Sequence, residues 1–112
     1  MTTTATTLPG PIAAYLTAKQ NHDVDALLAT LSEDAVITDE GTHYRGADAI
    51  REWNQKASTE VAATYAIREA VRLLDRTVVA VEVAGNFPGS PVTLFFHFTL
   101  RADKVAALTI LA

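Results

Sequence analysis

No cysteine occurs in the 112 residues, so the chain has no disulfide, no thiolate nucleophile and no Cys-based zinc site. Histidine is nearly as scarce. His22, His43 and His97 lack metal-ligand spacing of the HExxH kind, and no metal or other cofactor is expected. The 9 basic residues are outnumbered by 13 acidic ones and form no run, giving a net charge of −4. A phosphate-tracking surface has little electrostatic support, so nucleic acid is not an expected partner. Long apolar runs are also missing. The densest, VTLFFHFTL at residues 92–100, falls well short of the ~20 residues a membrane helix needs and contains a histidine. The opening MTTTATTLPG has neither the basic nor the continuous apolar part of a secretory signal. We expect a loose tail over residues 1–8, no membrane partner and a cytoplasmic location.

What is present is enough apolar material for one core: 49% of the side chains are hydrophobic, and no linker or repeat divides the chain. One domain over residues 9–112 is expected. Pro11 suits the first turn of a helix, where its missing N–H costs nothing, and Ile12, Tyr15, Leu16 and Lys19 follow at helical spacing. Asp23 is placed to cap a second helix with Val24, Leu27, Leu28 and Leu31 on one face. Residues 34–53, DAVITDEGTHYRGADAIREW, then read as a short buried strand, a Gly41 turn, a second strand through Tyr44 and a third helix opening at Gly46. That helix carries Ile50, Trp53 and Ala57 on one face, with Asp48 complementing its N-terminal dipole.

Beyond Ser58 the period changes to two. Turn signals at Asp75-Arg76, at GNFPGSP (residues 85–91) and at Ala102-Asp103 divide the remainder into four strands joined as hairpins, which predicts an antiparallel sheet. Alternation places Leu94, Phe96, Phe98 and Leu100 on one face of the third of these strands, and Phe95, His97 and Thr99 on the other. Thr77, Val79, Val81 and Val83 likewise point toward the helices, with Glu82, Arg68 and Arg72 outward. Phe95 is out of place among polar outer-face neighbours. A covered surface there, and hence a homodimer through the outer sheet face, is expected.

This order of elements resembles the cone-shaped α+β fold of the nuclear transport factor 2 superfamily, in particular its SnoaL-like and ketosteroid-isomerase-like members. The resemblance implies three N-terminal helices packed on a curved antiparallel sheet, with a pocket between them. Setting YLTAKQNHDVDALLATLSEDAVITDEG against the start of a ketosteroid isomerase places Asp39 at the base that moves a proton next to a carbonyl. Tyr15 then stands at the tyrosine that hydrogen-bonds the developing oxyanion. The acid that completes the oxyanion hole corresponds to Leu94, which cannot donate. Removing one such donor typically costs ~10²- to 10³-fold in rate, which argues against steroid isomerisation itself.

The residues themselves support this reading and leave alternatives open. Asp39 shares a strand face with Ala35 and Ile37, and withdrawing a carboxylate from water disfavours its charged form, which makes it a candidate proton acceptor or donor. It could equally accept N–H groups of the Glu40-Gly41 turn. Tyr15 is either an oxyanion donor or core with its hydroxyl at the edge. Trp53 is either a pocket wall or core. Tyr44 should look inward and His43 toward the rim, while Glu40, next to Asp39, must face the opposite way and cannot pair with it. Phe87 could close over a pocket mouth, and Leu94, Phe96 and Phe98 would complete the walls around an apolar small molecule. The function expected is proton transfer by Asp39 on a cyclic carbonyl compound, in an isomerase, cyclase or dehydratase reaction. The alternatives are a noncatalytic ligand-binding domain or a dimerisation domain of the same fold.

Overall fold

A computed structural model describes residues 7–112. Most of the expected tail, residues 1–6, lies outside the described residues, and Leu8 already packs against the core. The chain forms α1 (Gly10–Gln20), α2 (Val24–Ala29), β1 (Leu31–Asp39), β2 (Thr42–Arg45), α3 (Ala47–Asn54), a π-helical turn (Gln55–Thr59), and strands β3 (Thr64–Arg72), β4 (Thr77–Ala84), β5 (Val92–Arg101) and β6 (Lys104–Leu111).

In α1, Pro11 occupies the first turn and Ile12, Tyr15, Leu16 and Lys19 are buried. Its C-terminal end is tied to the start of β3: the His22 Nε2–H donates to the Ala63 carbonyl at 2.8 Å and the Gln20 amide to the Tyr65 carbonyl at 3.1 Å. Asp23 caps α2 by accepting from the Ala26 N–H at 3.1 Å. Leu31, expected on the stripe of that helix, instead opens β1. The Val105 N–H donates to the Thr30 carbonyl at 2.8 Å, and this pairing with β6 overrides the helical spacing. β1 then turns into β2 through Glu40 and Gly41, both left-handed with φ of 50° and 83°, as a two-residue hairpin requires.

Among the described residues the sheet has six strands, in the order β2-β1-β6-β5-β4-β3. The hairpin contacts are antiparallel as expected, but β1 and β6 run parallel, so the sheet is mixed. After β2 the chain crosses by α3 to the far edge and meanders back, so that β6 meets β1 in the same direction. Alternation sorted most of the faces as the sequence implies: Val79, Val81, Phe96, Phe98, Leu108 and Ile110 are buried beneath the helices. Arg72 is a correction. A bulge at Arg68 shifts the register between Ile67 and Glu69, so Arg72 pairs with the inward Thr77 rather than standing on the outer face with Arg68 and Glu82.

A second register change lies after α3. The extra residue of the π-turn rotates the following positions, leaving Ala57 exposed where helical spacing put it inward and burying Ser58 instead.

The corner after β4 tolerates no side chain. The Asn86 N–H donates to the Val61 carbonyl at 2.7 Å, and a Cβ on Gly85 would lie 2.7 Å from that oxygen and 3.2 Å from Ala63 Cα. We expect Gly85→Ala to lower stability by about 1–3 kcal/mol in urea unfolding, because backbone on both sides must shift. Gly10→Ala, where a Cβ meets nothing within 4 Å, is the control that should show no such loss.

Candidate functional site

Asp39 ends β1 on the face shared with Ala35 and Ile37, half-buried, with the third helix opposite. Its Oδ2 accepts the Trp53 indole N–H at 3.0 Å. Among the described residues no amide of the Glu40-Gly41 turn donates to the carboxylate, so its geometry is set by α3 rather than by its own turn. Tyr44 stands beside the indole with ring centroids 5.9 Å apart. Asp39, Tyr44, Glu52, Trp53, Lys56 and Ala57 line a cleft of about 270 Å³. The π-turn contributes Lys56 and Ala57 to its lip, a consequence of the rotation that turned Ala57 outward.

Behind the Trp53 ring, outside the residues that line this cleft, lies a second layer that is polar and enclosed. Lys19, only 3% exposed, donates from Nζ to Asn54 Oδ1 at 2.7 Å. The same Nζ sits 4.0 Å from the centroid of the Trp53 ring and 5.5 Å from that of Tyr65. Burial disfavours the ammonium and brings the Lys19 pKa down to about 7, while the Asp39 carboxylate pulls the other way. The contact with the indole face offsets part of the burial, a desolvated pair of this kind contributing about 2 kcal/mol. Tyr15 is fully buried, edge-on to Phe98 at 5.4 Å, and its hydroxyl has no partner among the described residues. Burial, then the neighbouring Tyr65 and Asp39, push its phenol well above the ordinary value. Tyr65 donates to Ser58 Oγ at 2.7 Å; burial raises its phenol too, against a lowering by Ser58.

Asp39, Trp53 and Tyr44 therefore meet in one cleft, and Tyr15 lies behind them, enclosed. Phe96 and Phe98 are core residues with centroids 6.2 Å apart, and Leu94 is half-buried on the same face. Phe87 packs at the Gly85 corner. None of these four lines the Asp39 cleft. His43 is exposed and paired with Thr38 Oγ1 at 2.7 Å, Glu40 is exposed, and His97 lies on the outer face between Val78 and Thr109. Phe95 is 39% exposed and pairs across the strands with Leu111, 47% exposed. No group of His, Asp or Glu able to hold a metal ion is found among the described residues, and no helix there is long and apolar enough to cross a membrane.

Residues 12–108 match the family model of the SnoaL-like domain. The chain belongs to the SnoaL-like domain family. A presumed polyketide cyclase from Sinorhizobium meliloti is 37% identical, with a TM-score of 0.87 over 92% of this chain and 94% of that one. A protein with a ketosteroid-isomerase-like fold from Catenulispora acidiphila is 18% identical, with a TM-score of 0.80 over 95% and 87% of the two chains. An NTF2-like protein from Cytophaga hutchinsonii, at 14% identity, has a TM-score of 0.76 over 98% and 92%. Comparison with curated proteins gives no match. The superfamily resemblance read from the sequence thus holds in the fold.

Lys19, Asn54, Ser58 and Tyr65 were not singled out from the sequence of this SnoaL-like domain. One signal was available: Lys19 falls on the same stripe as Ile12, Tyr15 and Leu16, a charged residue at a core position. Ser58 gave none, because the π-turn that buries it has no mark in QKAST.

Lys19 also makes stability depend on pH. Its folded pKa of about 7 lies below the ordinary 10.5, so between those values the unfolded chain binds a proton that the folded domain lacks. Stability should therefore rise with pH from about 7 toward 10, by up to about 1.4 kcal/mol per unit. Above that the slope should reverse, as unfolded tyrosines ionise while Tyr15 and Tyr65 resist. In Lys19→Met, urea unfolding should show no rise between pH 7 and 10, and the variant should be more stable than the parent at pH 6. A parallel pH profile in the two proteins would show that Lys19 is not held as described.

Proposed function

We propose that this domain binds an apolar, cyclic, carbonyl-bearing molecule and moves a proton on the carbon next to the carbonyl, in a cofactor-independent isomerisation, cyclisation or dehydration. The observation that carries this reading is Asp39. One carboxylate oxygen is steered by the Trp53 N–H, and the other accepts nothing from the described residues, at a cleft walled by two aromatic rings. The likeness to a presumed polyketide cyclase supports the reaction class. A cleft of about 270 Å³ lies at the lower end for ligand sites and suits one or two rings.

In the proposed step the Asp39 carboxylate takes the proton from the α-carbon, and the C–H electron pair moves into the bond to the carbonyl carbon. The carbonyl oxygen gains the charge. Tyr15 is the candidate donor to that oxygen, and Asp39 then returns the proton to the rearranged carbon. The test is deuterium exchange at the α-carbon of small cyclic ketones, followed by NMR in D2O. The domain should accelerate exchange, and Asp39→Asn should lose ~10²- to 10⁴-fold. Equal rates in the two proteins would remove Asp39 as the base. Ligand-dependent Trp53 fluorescence without any exchange would favour the noncatalytic binding domain.

We also propose that a second copy of the chain covers the outer sheet face. The exposed Phe95 and Leu111 are direct cross-strand neighbours, and Val71, 46% exposed, extends the apolar surface through Val78. Sedimentation should show a dimer at micromolar concentration that Phe95→Glu converts to monomer. A parent protein that sediments as a monomer would refute this.

A further inference from the structure

Lys19 does not line the Asp39 cleft, but the ring that it touches does. Its Nζ lies 4.0 Å from the centroid of the Trp53 ring and donates to Asn54 Oδ1 at 2.7 Å, so it grips two consecutive residues of α3. The edge of the same ring donates its N–H to Asp39 Oδ2 at 3.0 Å. Among the described residues no direct ion pair joins Lys19 to Asp39. The indole stands between them, with the cation at its face and the anion at its edge.

These two contacts reinforce each other. A cation over a ring is held by the electron density of the face and draws that density toward itself, which leaves the indole N–H a better donor. The carboxylate at the edge acts in the complementary sense and strengthens the hold on the ammonium. Lys19 is 3% exposed and Trp53 5% exposed, so water screens the face contact little. The titratable groups about Lys19 are Asp39 across the indole, Tyr65 from β3 with its ring centroid 5.5 Å away, and Tyr15 one turn earlier on α1. The other elements offer no charge there: α2 buries Leu27, α3 gives the Asn54 amide and the indole, and β4, β5 and β6 bury Val79, Val81, Phe96, Phe98, Leu108 and Ile110.

We propose that Lys19, Trp53 and Asp39 form an ion pair bridged by the indole, in which Lys19 is a positioning residue that holds the ring and, through its N–H, the orientation of the Asp39 carboxylate at the cleft. The bridge stands on the contacts alone; its effect on proton transfer rests on the reading of Asp39 as the base. A carboxylate that swings freely presents its basic oxygen in the productive direction only part of the time, and a misplacement of about 1 Å can cost ~10²-fold in rate. Because Lys19 lies outside the cleft lining, its loss should lower kcat and leave KM unchanged.

The first arm of the test needs no ligand. Trp53 is the sole tryptophan, so an isotope-labelled sample gives one indole Nε1–H cross-peak in the NMR spectrum. Between pH 5 and 9 that peak should titrate with a midpoint of about 7, together with Lys19 Cε. Lys19→Met should abolish the titration, and Asp39→Asn should move the peak upfield, the mark of a weaker hydrogen bond. The second arm is deuterium exchange at the α-carbon of cyclohexanone, corrected for the solvent rate. Exchange by the parent should fall severalfold from pH 6 to 8.5 as the ammonium loses its proton; Lys19→Met should be ~10-fold slower at pH 6, with KM unchanged and no such fall. A cross-peak that still titrates in Lys19→Met follows a histidine, His22, His43 or His97, and overturns the bridge, as do unequal midpoints for Trp53 and Lys19 in the parent. Full exchange in Lys19→Met overturns the positioning role. If Asp39→Asn keeps full exchange while the cross-peak follows Lys19, the proton-transfer reading falls and the bridge stands.

Discussion

The Trp53 indole organises the site because three elements hold it at once. Its N–H is bound by Asp39 at the end of β1, its face carries the Lys19 ammonium from α1, and its backbone belongs to α3. Asn54, the next residue, accepts from the same Lys19. A ring fixed at its edge by an anion and at its face by a cation has little rotational freedom, so the carboxylate and the ammonium are placed relative to each other through it. Tyr44 stands against the same ring, with centroids 5.9 Å apart, and the two border the cleft together.

The electrostatics follow from the same arrangement. A lone lysine removed from water would shed its proton, and the lowering of Lys19 to about 7 shows burial winning against Asp39. That the shift is no larger reflects the Asp39 carboxylate, which favours the charged form.

Most of the scaffold was legible because it rests on periodicity and turn chemistry. The inward stripe of α1, the Asp23 cap, the Gly41 hairpin and the alternation of β4 and β5 are local properties, and the structure shows each of them. Two of the misplacements come from a single residue added to a regular count, and the third from a helix cut short by strand pairing. The π-turn moves burial from Ala57 to Ser58, the bulge at Arg68 moves Arg72 to the inner register, and pairing with β6 takes Leu31 out of α2. Such shifts arise from tertiary pairing and leave no mark in a short window. At the site, Asp39, Trp53 and Tyr44 were readable as the inward positions of a strand, a helix and a hairpin. The inner layer was not, because it depends on residues far apart in sequence, Lys19, Asn54 and Tyr65, meeting over one ring.

These inner residues also bear on what kind of protein this is. The core around them is otherwise consistent, with aliphatic and aromatic side chains at nearly every position that alternation assigns to it, Thr77 excepted. Against that background an unpartnered tyrosine hydroxyl and a buried ammonium are local departures, each a cost to stability. Replacing a buried ionic group by a well-packed hydrophobic one is often neutral or stabilising by about 1–4 kcal/mol. A domain whose only task was to pair with a second copy would lose nothing by carrying phenylalanine at position 15 and methionine at position 19, since neither side chain reaches the outer sheet face. The stability forgone is therefore concentrated in the layer behind Trp53, away from the outer sheet face.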